Sequence, residues 1–474
     1  MNTTKKRVAA TKKTEGKMPS VRAGRMPAIR KGGTPSPRKS ARRGSRPAAT
    51  LQIGVGTADI TPAHPELLSP TGMGRLVPTR GVLDGLRVEA LAIRAGGDLA
   101  FITTSDLRTL FMEGSAVKEI AAKVAARTGC DPHKVLLSAV HNHCSSPIAA
   151  DDSPAAQAAL KAANRRIVDG FAEACAKAAD NLRPAEIAAA TATLAQPVGR
   201  NRRMILSNGT GVNCWGAGPM IPFGHRAVGP AGPDSTRLDL LAVREVGRDR
   251  PFAILTCYPT HPHLYELPYF SGEFPGAVKR RIERAFPGAV SLHANATGGD
   301  IDLHEVHPMT DYEPQQVRWF RDSAELLADR FVRAALPAVP TDGFRRPGAM
   351  RHEYYTSGPH ESRGSQRLTV LNALALGEFA FVSMPGELFL TFGLEIIDKS
   401  PFPHTLLMGY NGSREGYAPL PIVFEQGSYE VMRGRAPDVD PENAPLNSIH
   451  ARPWTGQRIT ARTLEILNRL KDEA

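Results

Sequence analysis

The stretch Val135–Pro147, VLLSAVHNHCSSP, decides how the rest of the chain is read. Val135 to Val140 is an apolar run short enough for a buried strand, and it stops at His141-Asn142-His143. Two further runs end the same way. Phe252 to Cys257 (FAILTC) leads to His261-Pro262-His263, and Phe379 to Met384 (FAFVSM) leads to Pro385-Gly386-Glu387. Each strand-like run thus delivers a residue able to ligate a metal. Two imidazoles and a carboxylate carried to one edge by separate strands, with a further position open, form a set that a catalytic zinc takes.

Taken singly, the three motifs stay open. His141 and His143 are two apart, so their rings share a face on a continuing strand and diverge in a turn. A pair of hydrogen-bonded loop histidines fits that spacing equally well. Pro262 disfavours helix for His261 and holds the chain extended as it leaves its strand, which suits a ligand and also suits a kinked loop. Glu387 precedes the apolar run Leu388 to Ile397, where a carboxylate is favourable in the first turn of a helix with no metal at all.

Working outward, strands are expected at Ile53–Ile60, Val88–Ile93, Leu99–Thr104, Ala185–Leu194, Leu238–Glu245, Phe252–Tyr258 and Arg367–Ala375. Helices are expected at Gly114–Arg127, Ala155–Leu182, Gly276–Phe286, Gln315–Ala338, Leu388–Ile397 and Gly456–Lys471. Between them, Pro197 to Gly232 reads as a long Gly/Pro/Asn-rich loop, of a length usually functional or mobile. Strands and helices interleave, which predicts an α/β fold with a mixed sheet. In such folds binding groups collect where strands end.

With 474 residues, 42% of them hydrophobic, the chain can bury a large core. Its net charge of +12 suggests a nucleic-acid partner until it is apportioned. Residues 1–50 hold 15 Lys/Arg against the single acidic residue Glu15, which leaves the remainder near neutral. That basic tail has too little apolar content to fold and is expected to be disordered. It could touch polyanions weakly through phosphate contacts, and no specific nucleic-acid partner is expected. No apolar leader follows the basic start and no run of about 18 apolar residues occurs, so neither a signal peptide nor a membrane span is expected and a cytoplasmic location is the default. The five cysteines lack CxxC spacing, which excludes a disulfide framework and a thiolate zinc site.

The order of the short motifs carries a resemblance. GVGTADITP (Gly54 to Pro62), the Gly72 turn, GVLDGLRVEALAI (Gly81 to Ile93), ITTSD (Ile102 to Asp106), SAVHNHCSSP (Ser138 to Pro147) and NRR (Asn201 to Arg203) come first. THP (Thr260 to Pro262), SGEFPG (Ser271 to Gly276), GGDI (Gly298 to Ile301), MPGE (Met384 to Glu387), GYAPL (Gly416 to Leu420) and QGSYE (Gln426 to Glu430) follow. In this order they resemble the catalytic domain of the neutral/alkaline ceramidase family, from about Leu51 to about Arg435. The resemblance implies one catalytic domain over 51–474 behind the tail. It implies a zinc-dependent hydrolase of lipid metabolism, sphingolipid metabolism included, that cleaves an amide (N-acyl) or ester bond of a small-molecule or lipid-like substrate with a zinc-activated water. Position by position it makes His141, His261, Glu387 and Tyr417 ligands of Zn²⁺, turns His143 toward substrate, and sets Arg202 and Tyr429 beside the scissile group. Members of the family are typically secreted or membrane-facing, so secretion is the implied alternative location.

The chain also departs from the pattern. Where the family carries a serine, this sequence reads Gly299-Asp300-Ile301-Asp302-Leu303, with Asp302 at the serine position. An acceptor-only carboxylate replaces a hydroxyl that could donate to an oxyanion, which removes the ground for expecting ceramide itself. Three roles fit Asp302: a general base, an extra metal contact, or, first among them, a carboxylate accepting backbone N–H bonds in a Gly-rich turn. Asp300 reads as a turn or supporting residue, and His293, His304 and His307 as loop histidines. The missing serine also admits a relative with little or no catalysis that binds a ligand in the same pocket. Gly54 and Gly56 lack the rest of a dinucleotide fingerprint and receive no cofactor role.

Overall fold

Along the strand Arg87–Ala95, Val88, Ala90 and Ala92 face a helical layer while Leu91 and Ile93 face a second sheet. Both faces are buried from Val88 to Ile93, so Ala90–Ile93 reads as an uninterrupted apolar run, with Glu89 the buried exception before it. The same division organises the molecule. The computed structural model describes residues 51–70, 79–110, 116–214, 221, 224–264, 268–303, 314–356, 369–413, 416–432 and 454–472. The basic tail, the Gly72 turn, His304 and His307 lie outside them.

The large sheet has eight strands in the order Val290–Asn295, Pro251–Tyr258, Arg237–Glu245, Arg183–Thr193, Gln52–Asp59, Arg87–Ala95, Asp98–Ser105, Val135–Leu136. Its centre is antiparallel. Its two outermost pairs, Pro251–Tyr258 with Val290–Asn295 and Asp98–Ser105 with Val135–Leu136, are parallel. A second sheet, in the order Arg351–Thr356, Val370–Leu376, Phe379–Ser383, His404–Met408, lies against one face of the first, with Leu374, Leu376, Phe381 and Met408 packed on Leu91, Ile93, Leu255 and Leu292. The helices Ala116–Thr128 and Pro154–Asp180 cover one half of the large sheet's other face, and Glu273–Ala285 with Pro314–Ala338 cover the other half. Leu390–Lys399 and Thr455–Asp472 cap the outside of the small sheet through Phe392, Ile396, Ile466 and Leu470. The layers run helix, sheet, sheet, helix, a mixed-sheet α/β fold as the interleaved pattern predicts. Among the described residues no helix is long and apolar enough to cross a membrane.

Gly54 and Gly56 have a packing role. A Cβ at either would lie 2.0 Å from the carbonyl of Ala178 or 2.3 Å from that of Ala174, so these glycines let the helix Pro154–Asp180 sit directly on the strand. Four expectations need correction. The ladder of the 135–140 run covers only Val135–Leu136, because the chain then follows single bonds from Val140 N to Ser105 O and His141 N to Leu107 O. The helix expected from Leu388 starts at Leu390. The loop Pro197 to Gly232 contains the short strands Gly199–Asn201, Arg203–Leu206, Gly211–Asn213 and Ala227–Pro230. His293 is no loop residue: it is buried on Val290–Asn295 and its Nδ1 lies 2.8 Å from Thr256 Oγ1.

Candidate metal centre

His141 has φ +62°, a left-handed conformation uncommon for a side-chain-bearing residue, and this turn swings its ring inward at the end of the apolar run. The ring stacks on Tyr410, centroids 4.2 Å apart, and Tyr410 is itself at φ +58°. Asn142 fixes the turn: its amide donates to Ser271 O at 2.5 Å and its carbonyl accepts from Cys144 N at 2.9 Å. His261 leaves Pro251–Tyr258 extended, donates from its backbone to Ile301 O at 2.6 Å and forms a parallel bridge with Asp302.

Glu387 follows Gly386, whose φ of +67° makes the sharp turn after Phe379–Ser383. It lies in a two-residue parallel pairing, Glu387–Leu388 against Tyr417–Ala418, which sets Glu387 opposite Tyr417. The first-turn helix role considered for Glu387 is therefore not the one it has. Asp300 supplies that role instead, accepting from Leu390 N at 2.8 Å, and burial pushes its carboxyl up to about 6.

These elements bring four side chains to one point. His141 Nε2 and His261 Nε2 are 3.0 Å apart, and Glu387 Oε2 lies 3.5 Å from each. His143 Nε2 is 3.3 Å from His141 Nε2, and His141, His143 and His261 together form a buried group close enough to hold one ion. Ligand atoms around a tetrahedral zinc with bonds of about 2.0–2.1 Å stand about 3.3 Å apart, so the spacing fits. Protonation accounting points the same way. His141 Nδ1 lies 2.8 Å from Arg108 O and His261 Nδ1 lies 3.4 Å from Gly298 O. A carbonyl oxygen can only accept, so each Nδ1 carries a proton, and in the neutral rings each Nε2 is left as the acceptor nitrogen. Burial, then the neighbouring His141, holds His261 well below the usual histidine range, so His261 itself stays neutral. The converging nitrogens and the Glu387 oxygen could hold a cation.

Tyr417 is buried, its ring stacked at 6.3 Å on that of His261, and burial raises its hydroxyl well above the usual tyrosine range. Tyr429 meets Tyr417 edge-on at 5.7 Å. Arg202 is completely buried beside both rings: Nε donates to Glu430 at 2.9 Å, Nη1 to Asp302 Oδ1 at 3.1 Å and Nη2 to Gly299 O at 2.8 Å. Glu430 also takes Arg203 at 2.6 Å and Asn213 at 2.7 Å; burial would raise its pKa, but Arg202 and Arg203 outweigh it and hold it below the usual carboxylate range. Asp302 is therefore an ion-pair partner of Arg202 and not an acceptor in a Gly-rich turn; its Oδ2 is buried without a hydrogen-bond partner. Glu430, Tyr410 and His263, whose ring lies 4.6 Å from that of His143, had no role in the sequence reading. His263 stands in the quoted His261-Pro262-His263 and Glu430 in QGSYE, which could have pointed to them, whereas Tyr410 stands in no quoted motif.

No family model matches the chain, and no curated protein sequence matches it. Solved structures do. The neutral ceramidase from Pseudomonas aeruginosa superimposes with a TM-score of 0.66 at 14% identity, over 90% of this chain and 75% of that one. A structure described as ceramidase complexed with C2 gives 0.63 at 13% identity, over 90% and 76%. The chain has the fold of the neutral ceramidases, at a sequence distance that makes it divergent from both.

Proposed function

We propose that this protein is a metal-dependent hydrolase, zinc the metal in first place, that cleaves an amide (N-acyl) or ester bond in a small-molecule or lipid-like substrate. The observation that carries the reading is the convergence of His141 Nε2 and His261 Nε2, 3.0 Å apart, with Glu387 Oε2 3.5 Å from each and both Nδ1 atoms facing carbonyls. His141, His261 and Glu387 would hold the ion with Tyr417 beside them. Bound there, a zinc ion would supply Lewis acidity and lower the pKa of a water to about 7.

The chain's own residues do the rest. Arg108 O and Gly298 O orient the two imidazoles, and Tyr410 holds the ring of His141 in place. Burial, then His263 and Arg108, holds His143 well below the usual histidine range and so neutral, and its Nδ1 is buried with no hydrogen-bond partner, a position from which the ring could hydrogen-bond a reacting group. Arg202 fixes Asp302 and backs Tyr417 and Tyr429 as the polar wall of the site. A second reading draws support from one observation: Arg202, committed to Asp302, Glu430 and Gly299 O, has little left to offer a substrate oxygen, as in a ligand-binding relative with weak catalysis.

Turnover of matched N-acyl amides and esters by metal-loaded, chelated and reloaded protein tests the proposal. Activity lost on chelation and restored by zinc is expected, with His143→Ala lowering kcat by about 10²- to 10⁴-fold while metal is retained. Metal retained without turnover on either set would replace the hydrolase by the binding protein.

A further inference from the structure

Three arginines stand together in Arg200-Asn201-Arg202-Arg203, and the structure treats them differently. Arg202 and Arg203 are closed in ion pairs with Asp302 and Glu430. Arg200 has no acidic partner among the described residues: its Nε and Nη2 are buried and make no hydrogen bond. Those two nitrogens form one edge of the guanidinium, the edge that grips a carboxylate with two parallel bonds. This chain uses the same edge twice elsewhere, from Arg469 to Glu353 at 2.6 and 2.7 Å and from Arg237 to Asp239 at 2.9 and 2.7 Å. A buried donor pair left open is costly, and a ligand that fills it recovers that loss.

Strand pairing says where the open edge is. Arg200 is the antiparallel partner of Asp302, and Asp302 is bridged in parallel to His261, so the three side chains leave on one face. The opposite face is closed, since a Cβ on Gly199 would lie 2.6 Å from the side chain of Ile301. Across that shared face the order is an imidazole of the candidate metal cluster, a buried carboxylate oxygen with no partner, and an arginine edge with no partner. An N-acyl amino acid presents the complements in the same order: a scissile carbonyl, an amide N–H and a carboxylate.

We propose that Arg200 is a specificity-determining residue that binds a carboxylate on the substrate, and that the substrates are N-acyl amino acids or similar carboxylate-bearing amides. The proposal deepens the hydrolase reading and rests on it only in naming the ligand a substrate. A phosphate offers the same pair of acceptors, so the test carries both anions.

Equilibrium binding of N-lauroylglycine, its neutral amide N-lauroylglycinamide and an N-lauroyl phosphoethanolamine is measured on wild type, Arg200→Gln and Arg200→Lys, with turnover followed on the same compounds. The acid is expected to bind wild type about 10- to 100-fold tighter than the neutral amide. Arg200→Gln should erase the preference, and Arg200→Lys, which keeps the charge without the fork, should retain part of it. Equal binding of acid and amide, a preference that survives Arg200→Gln, tightest binding of the phosphate compound, or a fall in melting temperature with ligand preference unchanged would overturn the proposal. A carboxylate preference without turnover would sink the hydrolase reading and leave this one standing.

Discussion

Two buried polar clusters sit near strand ends in this fold, and they are built on opposite principles. Around Lys279 the charges close on themselves: Nζ reaches Glu89 at 2.6 Å and Asp106 at 2.5 Å, Arg87 Nε takes Glu89 at 2.6 Å, and Thr104 donates to Glu89 at 2.7 Å. Donors meet acceptors there, and the cluster needs nothing from outside. Around His141 and His261, two Nε2 atoms 3.0 Å apart and a carboxylate oxygen 3.5 Å from each converge on one point. The first arrangement is scaffold, and the second is a set that could hold a cation. Burial and charge do not distinguish them; hydrogen-bond accounting does.

Breaking the scaffold cluster should have the largest effect. Lys279→Met removes the cation that the buried Glu89 and Asp106 share and is expected to lower unfolding stability by about 3–5 kcal/mol in urea titrations while leaving metal binding by the surviving folded fraction intact. The metal cluster should behave in reverse. At a zinc concentration of about 100 times its Kd, wild type gains about 2.7 kcal/mol in denaturation experiments, and His261→Ala and Glu387→Ala gain almost none. Metal-free His261→Ala should lose less stability than Lys279→Met, since truncating this buried imidazole removes packing but no buried charge; a loss as large as that of Lys279→Met would make this cluster scaffold too.

A carboxyl outside both clusters sharpens the contrast. Glu273 is buried at φ +49°, accepts from Leu264 N at 2.6 Å, and burial pushes its pKa up to about 8. The native state keeps a proton that the unfolded chain releases above about 4.5, so this group's contribution is fully present below that value. Stability should fall as pH rises from about 4.5 to about 8, by up to about 1.4 kcal/mol per unit, and Glu273→Gln should flatten that slope in denaturation curves taken across the range. The smallest effect belongs to the exposed pair of Arg469 and Glu353: Arg469→Gln should shift the thermal midpoint by the equivalent of about 1 kcal/mol or less.

The layers of the fold were legible because apolar runs of the right length and period write them directly, as in Phe252 to Cys257 and Phe379 to Met384. The convergence of His141, His261 and Glu387 was legible as strand-end chemistry read beside a motif order. What was not legible depends on pairings between distant segments. Nothing local places Glu387 opposite Tyr417 on two-residue strands, or makes Asp300 the acceptor for Leu390. The difference between Arg200 and Arg202 is likewise invisible in a run of neighbouring basic residues, because it is set by which face of a short strand meets Asp302 and Glu430.

The account stands on a cation between His141, His261 and Glu387, and elemental analysis of zinc-replete, extensively dialysed protein measures that directly. Wild type should retain about one ion per chain, and His261→Ala and Glu387→Ala close to none. Metal-replete wild type that retains no ion, or variants that retain as much as wild type, would contradict it.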